Sequence, residues 1–271
     1  MNSNREELPS RLHNRAPSTK KACPSENILE HFFNILFHPP SGIVGAMKNV
    51  PGILAVAVLA ISLVPFAPAR AGETNTVLFA CHFERGLDGR WQQQKFIPGL
   101  ALTHYAVVPD GTNYCLHASA TNSNSALMAK LNLKPPAQLF IRWCWKIDHT
   151  PPGASDRTVR DYDHAARLII AFDTFIGPPR SIDYLWANSE PIGTAMPHPL
   201  MGRAQMLVLE SGNDRAGGWI TEERDVTADW RRLFPGRAMP KIVGIGVLTD
   251  TDSTHTQVTA DYESIELDSV R

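Results

Sequence analysis

Cysteine is scarce, with four in 271 residues. None falls in a CxxC pair, which leaves no thiol redox motif and no zinc ribbon. The chain after residue 71 has no GxSxG, HExxH, P-loop or GxGxxG, so the common signatures of serine hydrolases, zinc hydrolases and nucleotide binders are missing. A basic excess is missing too. Lys+Arg number 26 against 27 Asp+Glu, for a net charge of −1, and residues 72–271 are more acidic than the whole. No electrostatic footprint for nucleic acid remains. There are no βαβ alternations, internal repeats or heptads.

Long apolar runs are also rare, with one exception. Lys48 is followed by an apolar core, Ile53–Val64, and then by Ala69-Arg70-Ala71 ahead of Gly72. That order predicts a secretory signal peptide over residues 47–71. Met47 is then the expected start. Residues 1–46, including the amphipathic stretch Ile28–Phe37, are then a disordered extension or an over-extended gene start. A retained anchor is the alternative, because residues 49–69 are uncharged and long enough for a bilayer core of roughly 30 Å. Pro51, Pro65 and Pro68 favour removal. The expected location is periplasmic or secreted, or else anchored in the inner membrane with the domain outside. Any membrane contact would run through residues 49–69. Cys81, Cys115 and Cys144 then permit one disulfide, or three free thiols.

Residues 72–271 read as a single domain of roughly eleven short strands separated by turn signals. Gln138–Ile147 alternates, with Ile141, Trp143, Trp145 and Ile147 on one face. The stretch DYDHAARLIIAFD, residues 161–173, predicts a central strand. Arg167, Ile169 and Ala171 share one face, Ala166, Leu168, Ile170 and Phe172 the other, and both faces are largely apolar. Lys241–Asp250 predicts a second such strand. Residues 188–202 form the longest loop, of a length that is often functional. One short helix is expected, capped by Thr227, with Asp229 near its positive end, continuing through Trp230–Phe234 to a stop at Pro235-Gly236. The expected fold is all-β, a jelly-roll-type antiparallel β-sandwich with one short helix.

The chemistry such a chain could carry is acidic. A buried Arg167 needs a carboxylate, and Asp163 and Glu210 are the expected partners. Carboxylates among Asp161, Asp163, Glu210 and Asp250 could serve acid–base hydrolysis of a glycan, or a structural ion pair could fix register. The oxygens of Asp250, Asp252 and Thr254 alternate as in a calcium loop, or close an ordinary turn. Tyr184, Trp186 and Trp219 could stack on a sugar beside Arg167, or belong to the core. The histidines at 82, 104, 117, 149, 164, 198 and 255 show no ligand spacing and read as solvated or core residues.

The ordered series WCWKID, DYDHAARLIIAFD, IDYLWA, LESG, WITEERDV and IGVLTDTDSTHTQVTADYESIEL resembles the family catalogued as domain of unknown function 3047. The likeness runs from Val77 to Leu267 and implies a secreted bacterial β-sandwich but no reaction. The family's acidic pair with alanines and arginine is matched by Asp161, Ala165, Ala166 and Arg167. Its TDTDN-like run is matched by Thr249 to Asp252, with Ser253 where Asn is usual. CHFERGLDGRW and ADYESIEL are also similar to the first and last strands of galactose-binding-like carbohydrate modules. That likeness implies a calcium ion tying those strands, with Glu84 and Asp261 as ligands. The expectation is a non-catalytic envelope protein binding a glycan or other envelope ligand. A carboxylate-dependent glycan hydrolase and a protein-interaction module are the alternatives.

Overall fold

The computed structural model describes residues 75–270, with 175 and 178 excepted. The expected extension and signal segment, residues 1–71, lie outside the described residues. In chain order the strands are β1 (Asn75–Cys81), β2 (Trp91–Lys95), β3 (His104–Asp110), β4 (Asn113–Thr121), β5 (Asn124–Leu133), β6 (Leu139–Ile147), β7 (Ala166–Phe172), β8 (Arg180–Ala187), β9 (Ala195–Pro197), β10 (Ala204–Ser211), β11 (Ile220–Asp225), β12 (Ile242–Asp250) and β13 (Gln257–Val270). Among the described residues one α-helix, α1 (Val226–Leu233), follows β11 directly. Among the described residues no helix is long and apolar enough to cross a membrane.

The strands form a jelly-roll-type sandwich of two sheets. The six-stranded sheet runs β11-β6-β13-β4-β3, with β1 also on β13. β13 can hold two partners along one side because it is long. Its first half pairs with β4 and its second half with β1. A register shift against β6 falls between the two halves, where Ser264 takes a positive φ of 51°, as expected at a bulge.

The seven-stranded sheet runs β2-β5-β12-β7-β8-β10-β9. The two strands expected to be central, β7 and β12, are neighbours in its middle. One feature departs from the antiparallel expectation: β10 pairs with β8 in parallel. A parallel pair needs a crossover of a dozen or more residues, and that is what the long segment 188–203 provides. Read as plain loop, the segment in fact contains β9, which caps the sheet edge beside β10.

The inter-sheet core follows the alternation. Ala166, Leu168, Ile170 and Phe172 face Ile141, Trp143, Trp145 and Ile147, all buried. Trp143 and Trp145 meet edge to face at 5.3 Å. The outer face of the seven-stranded sheet is buried as well. Ile169 packs there with Phe96, Ala126, Met128 and Leu248, and Leu185 with Tyr162, Met196 and Met206. β7 is therefore covered on both sides, and loops do the covering.

Gly246 in β12 lies on that outer face, opposite Met128 and Ile169. A Cβ here would overlap the Met128 sulfur and the Leu127 carbonyl oxygen. Gly246→Ala should therefore destabilise the domain by about 1–3 kcal/mol, read as a lower urea midpoint. An unchanged midpoint would mean that β5 yields freely.

The helix cap differs from expectation. Asp225 is the N-cap, its Oδ1 accepting from the Ala228 amide at 2.9 Å. The Thr227 hydroxyl instead accepts from the Leu139 amide at 2.9 Å and ties the helix to β6. Asp229 lies in the first turn, as anticipated. The three described cysteines are free thiols. Burial pushes Cys81 up and Cys115 up to about 12, so neither is a reactive thiolate at neutral pH.

Candidate functional site

Because β7 and β12 are antiparallel neighbours, the start of one lies beside the end of the other. Arg167 is opposite Leu248, and Asp250, two residues further on, shares their outer face. Arg167 Nη2 reaches Asp250 Oδ2 at 2.5 Å. Both side chains are buried, 3% and 2% exposed. The carboxylate partner of Arg167 is thus Asp250, and neither Asp163 nor Glu210. Asp250 Oδ1 also accepts from the His164 amide at 2.9 Å. Burial is the largest single influence on Arg167 and works against its charge, but Asp250, Tyr162 and Asp183 together outweigh it and raise the guanidinium pKa. For Asp250, burial is the largest influence and pushes it up to about 7. Arg167 opposes that rise, and Asp163 and Asp252 add to it.

The other expected acids have different duties. Asp163 accepts from the Ser253 amide at 3.1 Å, the Thr254 amide at 2.6 Å and the Thr254 hydroxyl at 2.6 Å, closing the turn after β12. Glu210 pairs with Arg215 at 2.5 Å. Asp161 ends the 3-10 turn Val159–Asp161 and is half-exposed.

Carboxylate oxygens of Asp163, Asp250 and Asp252 lie within 4.8 Å of one another. The donor set fits calcium poorly. Calcium takes six to eight oxygens, whereas both Asp163 oxygens are already engaged by turn donors and the Arg167 guanidinium supplies the positive charge. Glu84 is exposed in the loop after β1. Asp261 on β13 holds His117 at 2.6 Å and Lys146 at 2.9 Å. Neither is part of this cluster.

In front of the Arg167–Asp250 pair lies a cavity of about 230 Å³ on the outer face of the seven-stranded sheet. Phe96 and Ile97 after β2, Leu248 on β12, and Leu200 and Met201 after β9 give it apolar walls. Tyr162, His198, Asn124, Asp252 and Ser253 supply the remaining polar lining. The long crossover brings in His198, which is 5% exposed. Its Nδ1 accepts from the amides of Leu200 and Met201 at 3.1 and 3.2 Å, so the ring proton sits on Nε2. Burial and then Arg167 hold its pKa well below the usual range, and the ring is neutral. No ligand spacing marks His198; the length of its loop is the available signal.

The expected aromatic platform is dispersed. Tyr184 and Trp186 are fully buried between the sheets, where the Tyr184 hydroxyl donates to Asp229 and Trp186 Nε1 to the Gly212 carbonyl, each at 2.9 Å. Trp219 lies just before β11, on the other sheet, donating to Asp110 at 2.7 Å under Lys146. Tyr162 and Phe96 are the aromatic side chains that line the pocket, and Arg167 lies 5.2 Å from the Tyr162 centroid.

Asp183 on β8, beside Ile169, is fully buried. Burial pushes it up to about 6, against the pull of Arg167. A raised carboxylate contributes stability that is present below the unfolded pKa near 4 and lost as pH rises through 6. Asp183→Asn should therefore stabilise the fold at pH 8 by about 1–3 kcal/mol, with the gain vanishing below pH ~4. Denaturant midpoints at the two pH values test this, and equal gains at both would contradict it.

Residues 89–266 match the family described as Protein of unknown function (DUF3047). The chain belongs to this family. The match to DUF3047 spans every element from the loop before β2 to most of β13. No curated protein matches the chain. Solved structures similar to this DUF3047 chain include the CBM22-1 xylan-binding domain of Paenibacillus barcinonensis Xyn10C, with 10% identity, a TM-score of 0.38, and coverage of 73% of this chain and 96% of that one. Another is the xyloglucanase domain of NopAA from Sinorhizobium fredii, with 8% identity, a TM-score of 0.41, and coverage of 72% and 99%. A third is endoglucanase 3 of Trichoderma harzianum, family GH12, with 10% identity, a TM-score of 0.37, and coverage of 75% and 100%.

Proposed function

We propose that this protein binds one terminal unit of a glycan in the pocket before Arg167 and Asp250, and that it does so without catalysis. The observation that carries this reading is the pocket's composition. Apolar walls surround a few planar polar side chains fixed at the base, the arrangement by which hydroxyl-bearing rings are oriented. Pockets for drug-sized ligands hold roughly 300–1,000 Å³, so about 230 Å³ suits a single ring. Ile97 and Leu200, 44% and 49% exposed, stand at the mouth, where the next unit would rest.

The lining carboxylates argue against hydrolysis. Glycosidases place their two carboxylates on either side of the scissile bond. Asp250 and Asp252 lie side by side instead, bridged by Asn124 Nδ2 at 3.3 and 2.8 Å. The site as read here works without calcium, so a thermal melt should be unmoved by calcium or by chelator. The signal-like order of residues 47–71 supports a periplasmic or secreted location; mass spectrometry of the mature N-terminus should find Gly72 first.

The binding reading is tested by calorimetric titration with a panel of neutral, acidic and N-acetylated saccharides. At least one should bind, and Leu200→Trp, which narrows the mouth from an exposed position, should weaken it at unchanged melting temperature. Absence of binding across the panel would overturn the reading.

A further inference from the structure

Resting on the glycan reading, we infer that the pocket selects an N-acetylated amino sugar, with the acetamido group seated against Arg167, His198 and Asn124. The inference starts from hydrogen-bonding capacity that the protein leaves unused at this one cavity.

Two donors lack acceptors. Arg167 is 3% exposed, yet its Nε has no partner. Its Nη1 lies 3.5 Å from His198 Nε2. Since His198 Nδ1 already accepts two amides, Nε2 carries hydrogen, and that contact sets donor against donor. Tyr162, the other neighbour of Nη1, is at a long 3.4 Å. Buried N–H groups without acceptors are costly, and Arg167 and His198 both line this cavity.

One acceptor lacks a donor. The Asn124 amide faces two carboxylates, so its nitrogen must point toward them. Its Oδ1 is left buried and without a partner. A ligand that fits therefore offers an acceptor oxygen and an N–H donor together, which a secondary amide does. The acetamido methyl then needs an apolar wall, and Leu248 and Met201 provide one.

Charge separates this class from acidic sugars. Asp163, Asp250 and Asp252 are clustered within 4.8 Å around a single guanidinium, and His198 is neutral. A ligand carboxylate would add a fourth negative group to a buried site, whereas an amide adds none. Plain hexoses lack both the methyl and the amide N–H.

The test is titration of the full chain with N-acetylglucosamine, N-acetylgalactosamine, glucose, glucosamine and glucuronate. One N-acetylated sugar should bind at least about ten-fold more tightly than the other three classes, the scale of unpaired buried polar groups. His198→Leu should erase that preference, and His198→Gln, whose amide can still donate, should restore it. Glucose or glucuronate binding as tightly as the N-acetylated sugars would overturn the inference while leaving the glycan reading intact. So would an undiminished preference in His198→Leu. No binding by any saccharide would remove both.

Discussion

Arg167→Ala should cost the domain about 3–5 kcal/mol, the usual result of removing one partner from a buried ion pair. The variant strands Asp250, 2% exposed at its side chain, among Asp163 and Asp252 with no positive charge nearby. The loss should depend on pH. Burial and the neighbouring carboxylates already raise Asp250, and without Arg167 it rises further. A raised carboxylate keeps its stability below the unfolded pKa and loses it as pH rises through the folded one. The defect should therefore be smaller at pH 5 than at pH 8. Arg167→Met with Asp250→Leu should recover much of the loss, since an apolar pair leaves no charge to solvate. Urea midpoints for the two variants and wild type at both pH values check this. A defect independent of pH would show that packing of the long side chain, and not its charge, holds the site.

Trp186→Ala should cost a comparable 3–5 kcal/mol. Trp186 is fully buried and stands 5.7 Å from Trp145. Its Nε1 bonds the Gly212 carbonyl, and removal leaves a cavity between the sheets plus an unsatisfied carbonyl. Its effect on ligand should be the reverse of a platform residue's. Where the variant remains folded, saccharide affinity should stay within about two-fold, because surface and core sites more than roughly 7–10 Å apart and without shared partners act independently. Denaturation and titration of one preparation separate the outcomes. A collapse of affinity with little loss of stability would restore Trp186 as a stacking surface.

Much of the fold was legible because the strands obey period two. The Trp face of β6 and both faces of β7 are where alternation puts them, and Pro-, Gly- and Asp-rich breaks mark the turns. The parallel β8–β10 pair was hidden because a strand's own sequence does not state the direction of its neighbour; only the length of segment 188–203 hinted at a crossover. The helix cap was misassigned because Asp225, Thr227 and Asp229 are all able to cap, and β6 decides between them by claiming Thr227.

The site was half legible. A lone arginine in an apolar strand announced a buried pair, but its partner depended on β12 lying beside β7, which no local pattern encodes. Asp163 was nearer in sequence and is used to close the 251–254 turn instead. His198, Tyr162, Phe96 and Asn124 come from four separate segments and carry no motif; they become a site only once the outer face of one sheet is covered by loops. The aromatic residues that look most like a sugar platform, Tyr184 and Trp186, face inward because β8 alternates in phase with the core.

The most direct test is to map the binding surface by NMR while titrating the isotopically labelled protein with N-acetylglucosamine. Perturbed resonances should concentrate at Leu248, Leu200, Met201, Ile97 and His198, with the six-stranded sheet silent. Perturbations centred on Trp219 and β11, or none at saturating sugar, would contradict a ligand site before Arg167 and Asp250.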